Sequence, residues 1–261
     1  MKKFLLYFLI LLLIAILLMK VIAGGIIHHY QLQDADTAAF IVSATCKLLL
    51  LSGFYLAFRK EAFFDEKKVF NNNVGVFIVV GILLFLSLRF SLPYVGTLYS
   101  WENLAAYYAH CFSVGFSEEV LCRWIIFGLV VAASPQRSAF AQIVIASVIF
   151  AFLHIGNLIT GSMDILSVLN QIMYAFLMGL FFQGLFVRYR NIILVAVLHA
   201  LANFHGMYNA TFKPDDSSMA EAYSMADVFQ TQLIFGIAGI FMLLVLRLTM
   251  KTKDVKRLYA V

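Results

Sequence analysis

Phe116-Ser117-Glu118-Glu119-Val120-Leu121-Cys122-Arg123 places two adjacent carboxylates and a guanidinium inside an apolar segment running from about 102 to 133. A charge at the centre of a bilayer costs roughly 2.5 to 3.5 kcal/mol on insertion scales, so such residues face a bundle interior or a cavity and mark function by default. On a helix, Glu119 and Arg123 share a face at the i,i+4 spacing of an ion pair. Glu118 is rotated about 100° from Glu119 and is freer to look into a cavity. The bland alternative is a buried ion cluster that only fixes how helices meet. This stretch alone fits structure as well as catalysis.

The surrounding composition defines the solvent. Of 261 residues, 63% are hydrophobic and 13% charged, against about 25% charged in soluble domains. The expectation is an all-α, polytopic membrane bundle of about eight helices, each needing roughly 20 residues to cross. It forms a single integral domain over 1–261 with no separate soluble unit. Apolar runs place the spans at about 4–23, 37–58, 74–92, 102–133, 139–154, 164–187, 191–206 and 230–250. Cys46, Cys111 and Cys122 lie within apolar runs and read as small packing residues, not as a disulfide set or metal site. Lys47 in mid-span reads as snorkelling to the boundary or neutralising a buried carboxylate.

Charge sets the orientation. Lys2, Lys3, Arg59, Lys60, Lys67, Lys68, Arg137, Arg188, Arg190, Arg247 and Lys251 fall in one set of connections. The other set holds Lys213 beside Asp34, Asp36, Asp215, Asp216, Glu221 and Asp227. The positive-inside rule then puts both termini in the cytoplasm. The net charge of +5 is spent on that asymmetry and does not imply nucleic-acid binding. Lys2-Lys3 ahead of an apolar run resembles a cleaved signal peptide, but its length and Lys20 at its end argue for a retained span.

Two further spans carry polar residues. Phe150-Ala151-Phe152-Leu153-His154 ends one with an imidazole a turn beyond Phe150, and His199-Ala200-Leu201-Ala202-Asn203 sets an imidazole and an amide on one face of another. Alone, His154 reads as an interfacial residue and the His199/Asn203 pair as interhelical hydrogen bonding. Together with Glu118 they supply a carboxylate, two imidazoles and an amide. That is the inventory for activating a water and stabilising an oxyanion. A carboxylate held away from water is a stronger base than a solvated one, which suits the task. No serine nucleophile elbow, HExxH zinc helix or GxGD aspartate pair is present. His28-His29 lacks a nearby third ligand for a metal.

The three fragments, in order, resemble the motifs EExxxR, FxxxH and HxxxN of the CPBP family, the CAAX-protease and bacteriocin-processing (Abi) intramembrane proteases. Here they read Glu118-Glu119…Arg123, Phe150…His154 and His199…Asn203, in a core over 112–206. The resemblance implies an endopeptidase in a prokaryotic cell membrane that hydrolyses a peptide bond of a membrane-associated protein or peptide. By that analogy Glu118 and His154 activate water, and His199 and Asn203 stabilise the tetrahedral intermediate. Glu119, Arg123 and Phe150 shape the site. No cofactor is favoured; zinc on Glu118, His154 and His199 is the alternative, weakened because asparagine is a poor zinc ligand. Expected partners are the lipid bilayer and a protein or peptide substrate. A second functional class is a non-catalytic relative acting in immunity or regulation by binding. A third is a proton-coupled transporter, which lacks the paired broken helices of many transporters.

Overall fold

The computed structural model describes residues 21–22, 25–26, 29–30, 37–58, 100–159, 163–212, 225–249, 251 and 255. Its elements are α1 (Thr37–Phe58), α2 (Trp101–Glu119), a π-helical segment (Val120–Ile126), α3 (Phe127–Ala133), α4 (Ala139–Leu153), α5 (Gly156–Ile159), α6 (Ile165–Tyr189), α7 (Ile192–Phe212) and α8 (Met225–Thr249). Among the described residues the fold is all-helical, without a strand. The expected segment at 74–92, and that at 4–23 apart from Val21 and Ile22, lie outside the described residues. The other six each correspond to a helix, the fourth being built from α2, the π-helical segment and α3. Two helical stretches, Ala139–Ile159 and Ile165–Tyr189, are long and apolar enough to cross a membrane by length and composition. Shorter apolar stretches lie at Thr37–Leu50, Ile192–Phe204 and Gln232–Leu248.

Local chemistry marks the helix ends. Ser100 and Ser138 cap α2 and α4 by accepting the amides of Asn103 and Ala141, the N-cap role of short hydroxyl side chains. Asp164 does the same for α6, accepting from Leu166 at 2.9 Å and Ser167 at 3.1 Å. The Ser167 hydroxyl and these amides hold the Asp164 carboxyl below its ordinary value. Only Arg190 and Asn191 separate α6 from α7. Arg190 takes the left-handed conformation (φ 52°) that ends many helices, and Asn191 accepts the amide of Leu194 at 2.9 Å.

Contacts fix the helix directions. α1 and α2 run parallel: Thr37 hydrogen-bonds Asn103, and Phe40 meets Tyr107 and His110 with ring centroids 5.6 and 5.3 Å apart. α7 is antiparallel to α2. The Tyr107 hydroxyl donates to the Phe204 carbonyl at 3.0 Å, and a Cβ on Gly115 would stand 2.9 Å from both the Ala196 carbonyl oxygen and the Ala200 nitrogen. Only glycine allows that backbone approach, the usual role of small residues between membrane helices. α4 and α6 are antiparallel, Gly179 facing Ser147 and Phe150. α6 and α8 are parallel and meet at seven-residue steps: Asn170 with Gln232, Leu177 with Gly239, and Gly184 with Leu246. That repeat is the seam of a coiled-coil-like pair.

A continuous apolar core joins the π-helical segment and α3 to α4, α6 and α7 through Ile125, Phe127, Ile143, Leu180, Phe186 and Val195. The outer face of α8 is apolar and exposed, with Phe229, Ile237, Phe241 and Leu248 pointing away from the bundle. Such a face suits contact with lipid tails. Lys47 donates to the hydroxyl of Ser43, one turn earlier on α1, at 3.0 Å.

Candidate active site

The two glutamates stand where α2 passes into the π-helical segment. Widened π turns inside α-helices occur frequently at functional sites. Across this junction the i,i+4 relation of Glu119 and Arg123 is kept. Arg123 Nε donates to Glu119 Oε2 at 2.7 Å and its Nη2 to Oε1 at 3.3 Å, a forked pair with both side chains wholly buried. The Arg123 guanidinium also lies 4.9 Å over the ring of Phe150, where a cation gains from the aromatic face.

Glu119 has a second partner that sequence spacing did not indicate. His199 Nδ1 lies 2.8 Å from Glu119 Oε1. An ionised carboxylate only accepts, so Nδ1 carries the proton. The other ring nitrogen, Nε2, then faces Glu118 Oε2 at 3.6 Å. With Nδ1 protonated, Nε2 is a donor only when the ring is doubly protonated. The expected Glu119–Arg123 pair is present, and His199 is added to it: one carboxylate bridges the arginine and the histidine, with α7 held against α2 at Gly115.

Glu118 is the accessible one. Its side chain is 32% exposed, against 0% for Glu119, as expected from a rotation of about 100° between neighbours. The His199 ring sits between two aromatic side chains, 5.3 Å from Phe182 at 30° and 6.4 Å from Phe150 edge-on. Phe150 in turn meets His154 edge-on at 5.3 Å. His154 caps the C-terminus of α4 and is half-buried. Asn203 lies one turn beyond His199 on α7, also half-buried. Thus Phe150 links Arg123, His154 and His199.

α4 stops at His154, whereas α2 and α7 continue past the glutamates toward Trp101 and Phe212. The Trp101–Ser117 part of α2 is roughly 25 Å of helix at about 1.5 Å per residue. Phe182 was missed by sequence reasoning, since nothing in Leu180-Phe181-Phe182 sets one of 26 phenylalanines apart. Cys122, read as a small packing residue, is a core residue at 1% exposure. Among the described residues, no group of three His, Cys, Asp or Glu side chains gathers closely enough to hold a metal ion. Glu118 and His199 face each other at 3.6 Å, and among the described residues His154 forms no three-ligand group with them.

Residues 99–205 match the family model described as type II CAAX prenyl endopeptidase, Rce1-like. The matched span contains Glu118, Glu119, Arg123, Phe150, His154, His199 and Asn203. The match is consistent with the CPBP family and supports, at a coarse level, a hydrolase: a membrane protease of the CAAX type. No curated protein and no solved structure matches the chain.

Proposed function

We propose that the protein is an intramembrane endopeptidase in which Glu118, assisted by His154, activates a water for attack on a peptide carbonyl. The observation that carries this reading is the contrast between the two glutamates. Glu119 is fully buried between Arg123 and His199, whereas Glu118 is part-exposed and faces His199 Nε2 at 3.6 Å. A carboxylate kept reachable beside an oriented imidazole is the arrangement general-base catalysis requires.

Glu119 accepts from Nδ1 and thereby sets the His199 ring. His199 in its doubly protonated form, with Asn203 one turn away, donates to the oxygen that becomes negative when the carbonyl is attacked. Donors fixed in place before reaction give the largest single contribution in acyl transfer. Glu118 then returns the proton to the leaving amine. The substrate class is a membrane-associated protein or peptide.

Glu118, His154 and His199 lie toward the end of the bundle where α4 stops and α2 and α7 continue. Under the positive-inside reading that end is extracytoplasmic, which favours exported or membrane-anchored substrates. A terminal tag found outside the cytoplasm would reject this orientation. The enzymatic reading is tested with purified protein in lipid, comparing wild type with Glu118→Ala, His154→Ala and His199→Ala on a membrane-anchored peptide. Loss of cleavage in all three folded variants supports the site; cleavage at the wild-type rate in all three rejects it.

A further inference from the structure

α4 ends at His154, and the chain turns through α5 before α6 begins. Asn157 is the hub of that turn. Its amide donates to the His154 carbonyl at 3.0 Å, and its own carbonyl accepts from the Met163 amide at 3.3 Å. Its side-chain Nδ2 donates to Gln171 Oε1 on α6 at 2.6 Å and lies 3.7 Å from Met163 Sδ. One residue therefore ties the backbone of His154, the far side of the turn, and α6.

α6 also carries Phe182, which packs against the His199 ring. Gln171 and Phe182 are eleven residues apart, so at about 100° per residue they fall within roughly 20° of the same face. A single helix face thus meets the turn that follows His154 at one point and the ring of His199 at the other.

We infer that Asn157 and Gln171 are positioning residues that hold His154 in register with His199 through α6. This inference rests on the peptidase reading above. The physical need is plain: His154 stands beyond the last residue of α4, and helix ends open with little free-energy cost unless tied down. A catalytic imidazole must instead be held within about 0.5 Å of its working place. Phe150 steers the ring from one side, and the Asn157–Gln171 bond fixes the backbone that carries it. The competing role is plain interhelical adhesion, which would affect stability without a specific effect on turnover.

The test uses the full chain in lipid nanodiscs: Asn157→Leu, Gln171→Leu, the double substitution, and the exchanged pair Asn157→Gln/Gln171→Asn. Cleavage of a membrane-anchored fluorogenic peptide is read alongside hydrogen exchange of the 154–159 amides and thermal unfolding. A positioning role predicts that each leucine variant lowers kcat by about ten- to a hundredfold, the range a small misplacement produces, with KM little changed. Amide exchange at 154–159 accelerates, the double substitution is no worse than either single one, and the exchanged pair recovers most of kcat. Unchanged exchange overturns the inference, as does faster exchange with wild-type kcat. If wild-type protein cleaves nothing, the peptidase reading fails by itself; unchanged exchange would then separately overturn the proposed hold on the turn.

Discussion

Glu119 Oε1 lies 2.8 Å from His199 Nδ1 while Oε2 takes Arg123 Nε at 2.7 Å, so one wholly buried carboxylate joins residues from α7 and the π-helical segment. Neither partner alone explains its position. Arg123 balances the charge, and His199 receives its orientation. Removing either end of this bridge should therefore have different consequences.

Arg123→Leu leaves the buried Glu119 carboxylate without its main counter-charge. Breaking a buried pair by removing one member costs about 3 to 5 kcal/mol. Thermal or denaturant unfolding in detergent should show a loss of that size. Arg123→Lys should recover little of it, because an ammonium cannot reproduce the forked pair or lie flat over Phe150. Wild-type stability in either variant would contradict the assignment.

Gly115→Ala tests how the site is closed. The added Cβ would sit 2.9 Å from backbone atoms of Ala196 and Ala200, so α7 must shift and carry His199 with it. Overpacking of this kind costs about 1 to 3 kcal/mol. The expected result is a lower unfolding temperature together with reduced turnover, although Gly115 has no chemistry of its own. Unchanged values for both would show that α2 and α7 need not approach so closely.

Asn203→Ala should lower kcat by roughly 10²- to 10³-fold, the effect of losing one oxyanion donor, with KM nearly unchanged. A rise in KM at constant kcat would place Asn203 in ground-state binding instead.

Metal dependence follows from the donor set. No three candidate ligands gather among the described residues, so cleavage should survive exhaustive chelation and should not rise with added zinc. Abolition by chelator with recovery on zinc would give Glu118 and His199 the role of ligands.

The helices and the glutamate division were legible because they depend on local periodicity. Glu119 and Arg123 are four residues apart, and Glu118 is turned off their face whatever surrounds them. The segments at 37–58 and 139–154 emerged with nearly the same bounds, Thr37–Phe58 and Ala139–Leu153. Other features depend on tertiary contact. The Glu119–His199 bond spans 80 residues of sequence, and its prerequisite is a glycine at 115 facing two alanines, a pattern with many innocent occurrences in an apolar chain. The π-helical turn at Val120–Ile126 has no composition of its own, and neither the Phe182 contact nor the Asn157–Gln171 bond has a local signature. Helix ends also moved: α7 runs to Phe212 and α8 begins at Met225, because polar residues at membrane boundaries do not break a helix.

The central claim is that Glu118, not Glu119, carries the chemistry. The most direct measurement is kcat/KM for a membrane-anchored peptide with purified, lipid-reconstituted wild type and Glu118→Gln, alongside unfolding temperatures. The account predicts a loss of about 10²- to 10⁴-fold, the contribution of a general base, with the unfolding temperature retained. Cleavage by Glu118→Gln at the wild-type rate would contradict it.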